Sequence, residues 1–158
     1  MTNTLSLQDK FAPNSICYGC GPSNKDGLQI KSFPKEGDEG VLLCRFESDP
    51  KYQAFPGMLY GGLIACLLDC HLNWTACWHL KNQNKLEQPP CTVTASISVK
   101  YLRPTPFDQP LELVARVVEA KEDRATISGE LSAGGKVCAT AEGLFVAVKP
   151  GHPAYHRW

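Results

Sequence analysis

The period of the apolar residues changes along the chain. Leu28-Gln-Ile-Lys-Ser-Phe33 alternates and predicts a first strand, and Val41-Leu-Leu-Cys-Arg-Phe46 predicts a second after a turn over residues 34–40. Residues 49–60 hold two prolines and Gly57 and form a connecting loop. Over residues 61–80 nearly every position is apolar or small, which predicts one long helix. A polar loop over residues 81–90 ends it with two prolines. Val93-Thr-Ala-Ser-Ile-Ser-Val-Lys100 then alternates without a break and predicts a half-buried strand. Strands over residues 111–118, 125–132 and 137–148 follow, the last two joined by a hairpin turn at Gly134-Gly135. Two strands, one helix and four strands make an α+β arrangement with a mostly antiparallel sheet.

The 158 residues suffice for one domain with a real core. Residues 1–16 show no periodicity and are expected as a flexible arm, 17–149 as the single domain and 150–158 as an irregular tail. Sixteen basic and sixteen acidic residues balance and are scattered, so neither a nucleic-acid stripe nor a polybasic membrane anchor is present. The N-terminus lacks the apolar core of a signal peptide, and the best apolar run carries Asp69 and His71. A cytoplasmic domain with eight reduced cysteines is the expectation. Cys17 and Cys20 have metal-like spacing, but no second Cys-x-x-Cys accompanies them. They are read as a turn, and no metal site is expected. No Gly-x-Gly-x-x-Gly or Walker loop implies a nucleotide cofactor, and no Gly-x-Ser-x-Gly elbow implies a serine nucleophile.

Asp69 is the chemically conspicuous residue. It lies inside the apolar helix, and its helical neighbours Ala65, Cys66, Leu72 and Asn73 include no base. A carboxylate so placed is costly unless something uses or satisfies it. The start of the helix at Gly61-Gly62 offers free backbone N–H groups, a partial positive charge and no obstructing side chain, which suits an acyl oxyanion. Gly61 and Asp69 are eight residues apart, about 12 Å along a helix, too far to share one carbonyl. Two antiparallel helices, one from each chain of a dimer, would bring them together. Gly62, Ala65, Asp69, Asn73 and Ala76 form a small-residue face, with Leu63, Leu67, Cys70 and Trp74 elsewhere to cover the sheet. That face fits either a partner helix or a loop of its own chain. A buried Asp69 with a raised pKa would deprotonate water or attack a carbonyl directly, without metal or organic cofactor.

Four stretches carry a resemblance to a known family: Cys-Tyr-Gly-Cys-Gly-Pro-Ser-Asn-Lys-Asp-Gly-Leu (17–28), Phe-Pro-Gly-Met-Leu-Tyr-Gly-Gly-Leu-Ile-Ala-Cys-Leu-Leu-Asp (55–69), Val-Thr-Ala-Ser-Ile-Ser-Val-Lys-Tyr-Leu-Arg-Pro-Thr-Pro (93–106) and Ala-Glu-Gly-Leu-Phe-Val (141–146). In order and spacing they resemble the hotdog-fold acyl-CoA thioesterases, particularly the PaaI-like branch. The resemblance implies one long central helix wrapped by a curved antiparallel sheet of five to six strands, and a homodimer or dimer of dimers with active sites at the interface. It implies a small or medium acyl-CoA substrate, Asp69 as base or nucleophile, Gly61 as the polarising N–H with Gly62 beside it, and Thr94 as an assisting hydroxyl. The family often has His where this chain has Tyr60, and some members have Asn where it has Ala54, next to Gln53. Tyr60 is therefore expected near the thioester, with Gln53 as a substitute amide. These departures keep an alternative open, a non-catalytic protein that binds acyl or CoA ligands.

Other polar and aromatic residues have plainer expectations. His71 is two positions from Asp69 and points to the other side of the helix, which disfavours a dehydratase pair. His71 and His79 are expected in the core or an interface, and Trp74 and Trp78 in packing rather than an acyl pocket. Lys100, Arg103 and Lys149 are surface cations that would meet CoA phosphates only if the fold gathered them.

Overall fold

A computed structural model describes residues 4–155 of the chain. In order, a short helix α1 (Leu7–Phe11) precedes strands β1 (Phe33–Lys35) and β2 (Asp38–Phe46). A 3-10 turn (Pro50–Tyr52) and a small hairpin of β3 (Gln53–Phe55) and β4 (Met58–Leu59) lead into helix α2 (Gly61–Gln83). Strands β5 (Thr92–Tyr101), β6 (Leu111–Ala120), β7 (Arg124–Ala133) and β8 (Lys136–Ala147) follow. Six strands form one antiparallel sheet in the order β1-β2-β6-β7-β8-β5, curved round α2.

Alternation decides which face of the sheet meets the helix. Leu42, Cys44 and Phe46 of β2, Leu111, Leu113 and Ala115 of β6, and Ala125, Ile127 and Leu131 of β7 point into one buried cluster. Ala139, Ala141 and Phe145 of β8 complete the sheet side, and Leu63, Leu67, Leu68, Leu72 and Trp74 of α2 close over it. Each fully buried large side chain contributes roughly 1.5–3 kcal/mol of apolar transfer. Close seating of the helix needs Gly129: a Cβ there would stand 2.5 Å from Leu72 Cδ1. Gly134 and Gly135 at the β7–β8 turn both have positive φ, +56° and +75°, as the tightest hairpins require.

Three expectations need correction. The segment 28–33 is not a strand; only Phe33–Lys35 joins the sheet. The alternation there is real, since Leu28, Ile30 and Ser32 are buried. Their backbone, however, pairs with the cysteine loop: Leu28 and Ile30 N–H groups donate to Tyr18 and Gly19 carbonyls at 2.8 and 3.0 Å, and Gln29 takes a φ of +57°. Second, Ala76 of the expected small face is fully buried, so the accessible stripe of α2 ends near Asn73. Third, the described part of the expected flexible arm is folded and docked. Ser6 caps α1 by accepting from Asp9 N–H at 3.1 Å, and Leu7 is 3 % exposed.

A buried polar chain fixes that docking. Gln8 Oε1 accepts from Ser32 N–H at 2.8 Å, and Ser32 Oγ meets His71 Nδ1 at 2.9 Å. The other nitrogen, His71 Nε2, reaches Leu42 O at 3.2 Å. A carbonyl only accepts, so Nε2 carries the proton and Nδ1 accepts from the serine. Full burial drives the His71 pKa down to about 4, keeping it neutral. Thus α1, the irregular segment, β2 and α2 are joined through one imidazole.

Candidate active site

The site is assembled where β5 crosses the middle of α2. Asp69 and Asn73 are one helical turn apart, about 6 Å. Thr92 and Thr94 are two strand positions apart, close to 7 Å, on the same side of β5. The two spacings match, and the pairs meet: Thr94 Oγ1 donates to Asp69 Oδ1 at 2.7 Å, and Thr92 Oγ1 donates to Asn73 Oδ1. The register shift between Thr94 and Ser96 marks a bulge directly after Thr94, where β5 bends at the end of this contact. β5 is one of the two edge strands of the sheet, so its outer backbone groups are available for pairing.

Asp69 and Thr94 face a cavity of about 430 Å³ whose wall also includes Cys17, Cys70, Asn73 and Trp74. Asp69 is half-buried. Trp74, expected only to pack, packs and also lines this cavity, with Nε1–H donating to Cys20 Sγ at 3.3 Å. Trp78 does not line it; its indole N–H donates to Glu39 O at 3.0 Å and its ring rests on Phe11. His71 points away into the core network described above.

Gly61 lies elsewhere. It is the first residue of α2, and the intrahelical bonds begin only with Leu63 and Ile64 N–H groups onto Tyr60 O. The glycine lines a separate shallow depression with Phe55, Ile64, Tyr101 and Leu102, and Tyr101 OH donates to Gly61 O at 2.8 Å. Within one chain, therefore, Gly61 and Asp69 do not share a pocket. Tyr60 is the N-cap residue of α2 but makes no side-chain cap bond; its ring lies over Gly62, where a Cβ would be 2.3 Å from it. Gln53 does not reach the Asp69 cavity. Its amide accepts from Gly57 N–H at 2.6 Å and donates to Pro50 O at 2.8 Å, holding the β3–β4 turn.

Sequence reasoning missed the cysteine wall. Cys17 and Cys20 were visible as a spaced pair, but Cys70 belongs to the helix and only folding brings it to them. Cys17 Sγ lies 3.9 Å from Cys70 Sγ. Hydrogen bonds from Cys20 and Cys70 hold the Cys17 thiol well below the usual thiol range, and the bond to Cys17 pushes Cys20 up to about 12. Asn73, one turn beyond Asp69, was recognised as part of a face but not as the partner of Thr92.

A sequence profile of the thioesterase-like superfamily matches residues 55–151, the stretch that contains Gly61, Asp69 and Thr94. A solved thioesterase superfamily protein from Shewanella loihica is 32% identical, with 85% of this chain and 96% of that one aligned at a TM-score of 0.66. The chain belongs to the thioesterase-like superfamily. Two more distant solved structures share its fold. The PaaI protein of E. coli, from the phenylacetic acid degradation operon, is 17% identical over 77% of this chain and 81% of its own, with a TM-score of 0.64. A thioesterase from Haemophilus influenzae is 16% identical over 79% and 84%, with a TM-score of 0.65. No curated protein matches the sequence. Among the described residues of this thioesterase-superfamily chain, no helix is long and apolar enough to cross a membrane. Lys100, Arg103 and Lys149 are all exposed.

Proposed function

We propose that this protein is an acyl-CoA thioesterase for small or medium acyl groups, acting as a homodimer or dimer of dimers. The observation that carries the reading is the Thr94–Asp69 hydrogen bond of 2.7 Å at the wall of a cavity of about 430 Å³. It leaves one carboxylate oxygen oriented by a hydroxyl and the group within reach of a bound acyl chain. Asp69 takes a proton from water as the water oxygen attacks the thioester carbonyl, or attacks that carbon itself. The oxyanion is held by the N–H of the partner subunit's Gly61, at the positive end of its helix. On the water route, collapse breaks the carbon–sulfur bond and the departing thiolate receives the proton that Asp69 took. On the nucleophilic route, the same bond breaks to leave an acyl–Asp69 anhydride, which water then hydrolyses to the free acid and the Asp69 carboxylate, the proton released passing to the thiolate. No metal or organic cofactor takes part in this step.

Support for the dimer comes from the surface. Phe55, Tyr60, Tyr101 and Leu102 are each more than half exposed around the start of α2, an apolar patch that a lone subunit leaves wet. The stripe Gly62, Ala65, Asp69 and Asn73 is only partly covered by its own chain and is built of small or modest side chains, with the Tyr60 ring over its first residue. An antiparallel helix seated there would carry Gly61 about 12 Å along, to the level of Asp69. Cytoplasmic location is part of the same reading.

The commitment of the Gln53 amide to its own turn favours a second reading, an acyl or CoA-ligand binder without turnover. A panel of acyl-CoA thioesters with a thiol-reactive dye separates the two. The enzyme reading expects thiol release from at least one member, and a loss of at least about a hundredfold in Asp69→Ala with unchanged sedimentation. Near-normal turnover in that variant removes Asp69 from the chemistry. Ligand binding with no thiol release across the panel establishes the binder.

A further inference from the structure

Three sulfurs that thioester chemistry does not require converge at the cavity wall. Cys17, Cys20 and Cys70 Sγ atoms all lie within 4.8 Å of one another, and the Cys17–Cys70 separation is 3.9 Å. Zinc–sulfur bonds of ~2.3 Å at tetrahedral angles set neighbouring sulfurs about 3.8 Å apart. The three thiols thus stand near the corners of such a tetrahedron.

The surrounding backbone fits this use. Gly19 lets the loop press onto the helix, since a Cβ there would be 2.3 Å from Cys70 Sγ. Gly21 closes the loop by donating its N–H to Cys17 O at 2.8 Å, and a Cβ on it would strike the Cys17 backbone N at 2.4 Å. The Trp74 indole N–H is directed at Cys20 Sγ, at 3.3 Å. Donors aimed at sulfur are the outer shell that metal-bound thiolates use. Packing alone is a poorer account. Buried cysteines commonly serve as small apolar residues, yet Cys17 is exposed to solvent and still turned onto the other two.

We propose that Cys17, Cys20 and Cys70 bind one soft divalent cation of the Zn²⁺ class, clamping the loop of residues 17–27 to α2 beside the Asp69 cavity. On binding, each S–H bond is replaced by a sulfur–metal bond and its proton passes to solvent. No oxidant or reductant is involved. The remaining coordination position goes to water from the cavity or to Cys66, one helical turn before Cys70 and 3.6 Å from the position of a Gly19 Cβ. The site does not depend on the thioesterase reading, because a non-catalytic binder would hold it equally well.

The test uses the full chain, purified under reducing conditions without chelator, and reads metal content and spectrum rather than turnover. Wild type is expected to hold about one equivalent of zinc per chain and to release protons when Zn²⁺ is added back after chelation. Cys17→Ser and Cys70→Ser should each lose it, while Cys138→Ser, on the distant strand β8, should retain it. Substitution with Co²⁺ in wild-type protein should give thiolate-to-metal charge-transfer absorption, a readout that does not depend on a variant folding. Cys66→Ser with unchanged cobalt absorption assigns the last position to water; altered absorption with zinc retained assigns it to Cys66. Substoichiometric zinc without charge-transfer absorption, equal zinc in Cys17→Ser and Cys138→Ser, or a disulfide joining Cys17 to Cys70 in freshly reduced, metal-exposed protein would each overturn the proposal.

Discussion

The buried His71 should make the fold sensitive to mild acid, and its size can be worked out from the core. His71 is 0% exposed; it donates to Leu42 O, meets Ser32 Oγ through the other nitrogen, and has a pKa lowered from 6.5 to about 4 by burial. The sign follows from comparing the two states. Above pH 6.5 the imidazole is neutral in both, and stability is unaffected. As pH falls from 6.5 towards about 4, the unfolded chain takes up a proton that the folded one refuses, and stability is lost. At roughly 1.4 kcal/mol per pH unit, the full loss attributable to this residue is about 3 kcal/mol, complete once the folded form also protonates. Urea denaturation at fixed protein concentration, from about pH 7.5 down to about pH 4.5, measures it. The comparison protein is His71→Gln, whose amide can still donate to Leu42 O but does not titrate. It should be less stable than wild type at neutral pH, because Ser32 loses its acceptor, and the gap should narrow by roughly 2–3 kcal/mol across the range. Carboxylates titrate in both proteins, so the difference isolates residue 71. Parallel stability curves would refute the reasoning, since His71 would then take its proton as readily folded as unfolded.

The site and the core give further expectations. Thr94→Val keeps the shape of the side chain and removes the donor to Asp69; turnover should fall by roughly tenfold with little change in KM, while Thr94→Ser restores most of it. In an Asp69→Ala background the same substitution should cost almost nothing more, because the hydroxyl acts through that carboxylate; additive losses would separate the two residues. Gly129→Ala should lower stability by about 1–3 kcal/mol, as its methyl group would stand 2.5 Å from Leu72 Cδ1 in a side chain with no exposed surface into which to move. An unchanged urea midpoint would show that α2 can lift away from β7 freely.

Much of the fold was legible because each local pattern has one cheap solution. Alternation after residue 90, glycines at the β7–β8 turn and an unbroken apolar stretch from Gly61 each describe the chain's own neighbours, and folding kept the elements they mark, although a bulge after Thr94 interrupts the alternation of β5. The segment at 28–33 shows the limit. Its alternation correctly marks Leu28, Ile30 and Ser32 as inward-facing, but burial says nothing about which backbone will supply hydrogen bonds; the cysteine loop took that role. Likewise the period of α2 placed Ala76 on a small face, whereas full burial depends on what lies opposite.

For the site, the sequence by itself determined that a carboxylate would lie two turns into an apolar helix, unable to reach the glycines at that helix's start. It did so because rise per residue is fixed by backbone geometry. Only the tertiary structure decided that Thr92 and Thr94 meet Asn73 and Asp69, and that Cys70 joins Cys17 and Cys20. Those meetings depend on how a strand and a loop distant along the chain are laid across the helix, a choice made by packing the whole core at once. Spacing rules see ligands that are close in sequence; a third sulfur contributed from fifty residues away is set only by the angle and depth at which the loop docks.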